Sequence, residues 1–257
     1  SGSPHSKQLS IQRQPSQGKP VPHKDRTAWV ENLNQNSDQL STFEMLAITH
    51  RLIEPGRLAL VSSFGAEAVV LLHLVAQVDP GLPVLFIETL QYQNDISKLL
   101  GQTNVQVIRA DAQQIARSDP FDRLHLSNPN ACCSLRETDL LNRALQPYDG
   151  WISGRKQFQS NSRAGVAHFE LGLDGDKVKI NPLAHWTAHD IAQYLQKNNL
   201  PHHPLVAMGY PSIGCLPCTA PVAMGEDPRS GRWPGQLKTE CGLHSPRKTR
   251  QPERKIA

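Results

Sequence analysis

The chain has 257 residues, 38% of them apolar, with 20 prolines and a formal charge of +4. That length fits one α/β domain with appendages better than two full domains, and the mild basic excess suits an anionic small substrate, a weak nucleic-acid contact, or neither. The best apolar run, Ala68 to Val78, falls far short of the ~20 residues a membrane span needs and carries His73, which excludes a spanning helix there.

Ser1 to Lys24 is Ser, Pro, Gln, Lys and His without an apolar stretch. Residues 1–28 are therefore expected to form a disordered extension, with no secretory signal, and the protein to be soluble and cytoplasmic. Leu40 to Ile53 carries apolar residues at helical spacing. The runs Arg57 to Val61, Pro83 to Ile87 and Val105 to Ile108 read as buried strands, alternating with helices at Glu67–Gln77 and Gln91–Leu100. Such alternation predicts a mostly parallel sheet with helices on both faces. Cys132 to Leu145 reads as one helix and Trp151 to Ser153 as another strand. Two extended runs flank Asp174-Gly175, a hairpin turn pair. Thr187 and Asp190 form an approximate capping box for a helix ending near Asn198. Beyond Leu200, Pro, Gly and charged residues dominate.

The five cysteines stand as Cys132-Cys133, Cys215-x-x-Cys218 and Cys241. An odd, clustered set argues against a disulfide framework. It reads as four ligands and one thiol with a separate task. One tetrahedral zinc needs its sulfurs about 3.8 Å apart, which adjacent side chains on a helix reach awkwardly. A [4Fe–4S] cube gives each thiolate its own corner, so the adjacent pair favours a cluster. Zinc and a set of unliganded thiols stay open on spacing alone.

Ser62-Ser-Phe-Gly-Ala-Glu67 joins a strand to a helix, a place where backbone N–H groups and a helix N-terminus converge on an anion. It lacks the Gly-Lys-Ser/Thr of a Walker loop, and taken alone it reads better as an ordinary strand-to-helix turn. Arg155, Lys156, Arg163, Arg229 and Arg232 lie in loop segments, and guanidinium forks suit phosphate and sulfate oxygens. Solvated surface charge is the plain alternative for any one of them. Cys241 sits in Lys238-Thr-Glu-Cys-Gly-Leu-His244 among Lys238, His244, Arg247 and Lys248. Cations of this kind raise the thiolate fraction, whereas Glu240 opposes them.

Taken together, these segments resemble the thioredoxin-dependent adenylyl-sulfate reductases, relatives of phosphoadenylyl-sulfate reductases and PP-loop ATP pyrophosphatases. The resemblance runs from about Leu40 to His244. It rests on Ser62–Glu67, Cys132-Cys-Ser-Leu-Arg136, Gly154–Gln159, Lys179–Leu183, His203–Val206, Gly209–Cys218, Gly231-Arg-Trp233 and Lys238–His244. It implies a PP-loop-like fold over 29–233 and a mobile tail over 234–257. By the same resemblance Cys132, Cys133, Cys215 and Cys218 hold a [4Fe–4S] cluster, and Cys241 is the nucleophile. Ser62, Ser63, Phe64 and Gly65, with Arg155, Arg163, Arg229, Arg232 and His244, bind adenylyl sulfate. A thioredoxin or glutaredoxin-like protein is the implied reductant, with no nucleic-acid or membrane partner.

The chain departs from that family twice. Members usually read Cys-Cys-x-Ile-Arg-Lys, and Glu137 stands where the Lys falls. About seven residues after Thr89 are missing relative to the family pattern. Three rival readings differ from it: a phosphoadenylyl-sulfate reductase, which generally lacks the cluster cysteines; an RNA-thiolating PP-loop enzyme, which wants a Ser-Gly-Gly-x-Asp loop; and a non-catalytic, metal-stabilised nucleic-acid-binding module. The last relies on the basic stretch Arg247 to Lys255, which offers no aromatic residue for base stacking.

Overall fold

The structure, a computed structural model, describes residues 26–62, 65, 67–88, 101–159, 163–172 and 175–240. The expected helix at 91–100, the shortened loop after Thr89, Ser63, Phe64, Asp174, Cys241 and His244 lie outside the described residues.

Helix α1 (Arg26–Ser37) begins inside the expected N-terminal extension. Helix α2 (Thr42–Leu52) is closed at its start by a full capping box between Ser41 and Glu44. Strand β1 (Leu58–Ser62), helix α3 (Ala68–Val78), and strands β2 (Val84–Ile87) and β3 (Val105–Ile108) follow. Helices α4 (Ala112–Ser118), α5 (Leu124–Ser127) and α6 (Pro129–Cys133) lead to a π turn over Ser134–Thr138 and helix α7 (Asp139–Ala144). Strands β4 (Gly150–Ile152), β5 (Phe169–Leu171) and β6 (Val178–Ile180) complete the sheet. Helix α8 (Ala188–Lys197) carries the Thr187–Asp190 capping box, and α9 (Pro204–Ala207) is a single turn.

The six strands lie in the order β3-β2-β1-β4-β6-β5. All neighbours are parallel except β5 and β6, the hairpin at the edge. Alternation across the pleat sorts the core. Leu58, Leu60, Val84, Phe86, Ile152 and Ile180 face α2, α3 and α8, while Ala59, Leu85, Ile87 and Trp151 face Leu141 and Leu145. A Cβ at Gly150 would come within 2.7 Å of Ile53 Cδ1 and 3.0 Å of Val178 O, so only glycine lets β4 lie this close to its neighbours.

The helix expected over Cys132–Leu145 is interrupted. The π turn at Ser134–Thr138 inserts extra backbone between α6 and α7 and rotates the following residues, a feature that often accompanies function. Glu137 is thereby turned inward to 5% exposure, while Leu140 and Leu141 still reach the core. Among the described residues, no helix is long and apolar enough to cross a membrane.

Candidate active site and cysteine centre

Strands β2 and β4 flank β1 on opposite sides, so the chain's path through the sheet reverses there. Open α/β sheets bind ligands at such points, beyond the carboxyl ends of the strands. A cavity of ≈ 200 Å³ lies at this place. Its floor is Leu60, Val61 and Ser62 of β1, Ile87 of β2 and Ser153 after β4; Gly65, Glu67 and the start of α3 form one wall. Glu67 makes no side-chain cap hydrogen bond to α3, which leaves that helix end to other partners.

Five cations line the cavity, Arg155, Lys156, Arg163, Arg229 and Arg232, against three carboxylates, Glu67, Glu137 and Glu240. Lys156 is 3% exposed, with Nζ 2.8 Å from Glu67 Oε2. Burial lowers its pKa, and the Glu67 charge works against that shift. Arg155 pairs with Glu170 at 3.1 Å. The Arg163 guanidinium grips Glu240 with both arms, Nε to Oε1 at 2.6 Å and Nη2 to Oε2 at 2.7 Å. Arg229 reaches Glu240 Oε2 at 3.4 Å and donates to Thr239 O at 2.9 Å. Arg232 stacks over Trp233, 4.6 Å from the ring centre. A Cβ at Gly214 would collide with the Arg232 guanidinium, so this glycine makes the stack possible. Nε of Arg155 and Nε of Arg232 are buried without hydrogen-bond partners. The cavity wall thus holds two unsatisfied guanidinium donors, a costly arrangement that an anion's oxygens relieve.

The four cysteines converge beside this cavity. Cys133, Cys215 and Cys218 pack with Trp233, and Cys132 bears electrostatically on both Cys133 and Cys218. None of the four is in a disulfide. They come from two segments that meet at Trp233, the end of α6 and the Cys215–Cys218 loop. Burial pushes all four thiols upward, Cys133 to about 12, and the Glu137 charge adds to the rise. Cys215 donates its S–H to Glu137 Oε1 at 2.8 Å, and Glu137 Oε2 has no hydrogen-bond partner. Arg136 lies 3.6 Å from the Cys132 sulfur. The Cys215–Cys218 loop is tied to the Arg232 segment by Trp233 N–H donating to Cys218 O at 3.0 Å and Ala220 N–H donating to Gly231 O at 2.8 Å.

The family model described as the phosphoadenosine phosphosulfate reductase domain matches residues 57–221. The chain belongs to this reductase family. An adenosine 5'-phosphosulfate reductase of Mesorhizobium japonicum is 46% identical over 212 residues, 80% of this chain and 83% of that protein. One from Chelativorans sp. is 47% identical over 204 residues, 77% of this chain and 82% of that protein. In fold, the chain is similar to phosphoadenylyl-sulfate reductase of Candida auris, solved as a phosphate complex, with TM-score 0.61 and 22% identity over 75% of this chain and 96% of that one.

Of the expected contacts in this reductase, Ser62, Gly65, Arg155, Arg163, Arg229 and Arg232 line one cavity. The four expected ligand cysteines form one neighbouring group. The tail segment expected to be mobile starts out seated. Gln236 donates to His125 O at 3.3 Å, Lys238 to Asn130 Oδ1 at 2.6 Å, and Glu240 is held by Arg163. Lys156, Glu67 and Gln159 also line the site and were not among the residues expected to contact the substrate. The Lys beside Arg155 in Gly154-Arg-Lys156 was the available signal. Glu240 stood out only as an opponent of thiolate formation, whereas the structure makes it the partner of two arginines.

Proposed function

We propose that the chain is an assimilatory adenylyl-sulfate reductase with Cys241 as its nucleophile. The observation that carries the proposal is Glu240. One peptide bond before Cys241, its carboxylate lies in a two-armed arginine fork inside an electropositive cavity at the ends of β1 and β4. The fork geometry that holds a carboxylate also suits a sulfate or phosphate group.

Ser62, Gly65 and the start of α3 would receive the nucleotide phosphate. Arg155, Arg163, Arg229 and Arg232 would neutralise the phosphosulfate, without which thiolate and substrate repel each other. The Cys241 thiolate attacks the sulfur of adenylyl sulfate. A sulfur–sulfur bond forms, the sulfur–oxygen bond to the phosphate breaks, and AMP leaves with the electron pair. One thiolate of a thioredoxin-like dithiol then attacks the Cys241 sulfur and expels sulfite. Its second thiol resolves the mixed disulfide, returning the Cys241 thiol and supplying both electrons.

Cys132, Cys133, Cys215 and Cys218 would hold a [4Fe–4S] cluster. Their number and convergence fit it, and iron in place of the thiol protons would relieve four thiols whose ionisation burial opposes. Such a group supplies a covalent tie between α6 and the 215–218 loop and a fixed charge beside the sulfate. Thiols free of disulfides also fit a cytoplasmic location.

Incubation with sulfur-labelled adenylyl sulfate without reductant tests the reading. Label should stay on the peptide containing Cys241, and thioredoxin should release it as sulfite. Label on any other peptide, or none, overturns it. The 3'-phosphorylated substrate run in parallel distinguishes a phosphoadenylyl-sulfate reductase.

A further inference from the structure

Outside the cavity lining, three metal-ligating side chains meet that come from distant parts of the sequence. Asp38 follows α1, His168 precedes β5, and His185 follows β6. One ligand atom from each lies within 4.8 Å of the other two. His185 Nδ1 is 3.3 Å from Asp38 Oδ1, and His168 Nδ1 is 3.9 Å from the same oxygen. The two imidazoles lie with centroids 4.1 Å apart. None of the three lines the cavity.

We propose that Asp38, His168 and His185 form a binding site for a divalent ion of the zinc class, which fastens α1 to the edge of the sheet. Two imidazoles and one carboxylate are a donor set for zinc and its neighbours in the first transition row. Zinc bonds of ~2.0–2.1 Å to nitrogen and oxygen put tetrahedral ligand atoms about 3.3 Å apart. The Asp38–His185 separation already has that value, and His168 needs to move by roughly half an ångström to match it. His168 is 7% exposed, so an ion held by its ring is partly screened from water. His168 Nδ1 also lies 3.0 Å from the Ser37 hydroxyl, which donates to Asn34 O at 2.9 Å, so on binding Nδ1 exchanges that hydrogen bond for the ion.

The same corner already joins α1 to β5. The Asn34 amide donates to Phe169 O at 2.8 Å and accepts from Phe169 N–H at 3.0 Å. It thereby uses the free backbone edge of the outermost strand. An ion one turn further along would add a tie to a contact that Val30, Trp29 and Leu33 also make with the core. Asp38 and His185 are exposed, so zinc has an open route and both can be replaced without disturbing the core.

Equilibrium dialysis of the full-length protein against zinc, with iron measured on the same samples, is the test. Wild type should bind a zinc that both Asp38→Asn and His185→Ala weaken about 100-fold or more, with iron content unchanged, while Cys215→Ser retains it. Zinc that survives both substitutions, zinc lost with Cys215→Ser and kept by His185→Ala, or no bound zinc in wild type overturns the proposal.

Discussion

The Glu240 carboxylate lies in the fork of the Arg163 guanidinium, with both oxygens within 2.7 Å of a donor nitrogen. An anionic ligand using that fork must displace it. Glu240→Gln, which keeps the shape and removes the charge, should tighten AMP or sulfate binding by about fivefold, or ~1 kcal/mol. Arg163→Ala should weaken binding by about 2–5 kcal/mol. Titration calorimetry on both variants checks this; weaker binding by Glu240→Gln would mean that its carboxylate helps to hold the ligand.

The same pair sets a pH dependence. Burial raises the Glu240 pKa, but the hydrogen bond and charge of Arg163, with help from Arg229 and Arg155, outweigh it, and the net shift is downward. A carboxylate depressed on folding contributes stability above its unfolded value of ~4.3, which is lost as pH falls through the lower folded value. The seated segment 234–240 should therefore detach only in acid, below about pH 4. Trp233, with Lys238 Nζ 5.5 Å from its ring, is the fluorescence probe, and Glu240→Gln should abolish the acid transition.

Anaerobically purified protein should be brown, and Cys215→Ser should lose most of the iron. The variant keeps Glu137 buried but loses the thiol that donates to it. The loss of a group that joins two distant segments should lower the melting temperature. Iron analysis and a thermal melt measure both effects; a Cys215→Ser protein with full iron refutes its assignment as a ligand.

Glu137 places a negative charge beside the cysteines, hydrogen-bonded to the Cys215 thiol. Removing that charge with Glu137→Gln should raise the reduction potential of an iron–sulfur cluster held by these cysteines by on the order of 100 mV. A redox titration followed by electron paramagnetic resonance reads the shift. An unchanged potential would mean that the Glu137 carboxylate does not act on a group held by these cysteines.

Cys241→Ser should abolish sulfite release while leaving iron content and visible absorbance at wild-type levels. Sulfite assay and metal analysis of one preparation separate these outcomes. Residual turnover above the level of the no-enzyme control would place the nucleophile elsewhere.

Much of the architecture was legible because its signals are local. The apolar runs of β1 and β2, the Thr187–Asp190 box and the hairpin around Gly175 each depend on neighbours within a few residues, whereas β3 forms where expected but as an edge strand with Gln106 and Val107 exposed rather than buried. Helices α4, α5 and α6 escaped notice because they are short: α4 and α5 bury no residue and α6 buries only its two cysteines, so no apolar period marks them. The π turn escaped because it alters hydrogen-bond spacing without altering composition.

By itself the sequence determined the strand and helix types, the residue kinds available for chemistry and the grouping of the thiols into pairs, since periodicity and spacing are properties of the chain alone. Only the tertiary structure decided who faces whom. Glu137 meets Cys215 across 78 residues, and Arg163 meets Glu240 across 77. Such pairings follow from sheet order and from the helix register after the π turn, and the free energy that selects them comes from burying the whole core at once rather than from either partner's local neighbours.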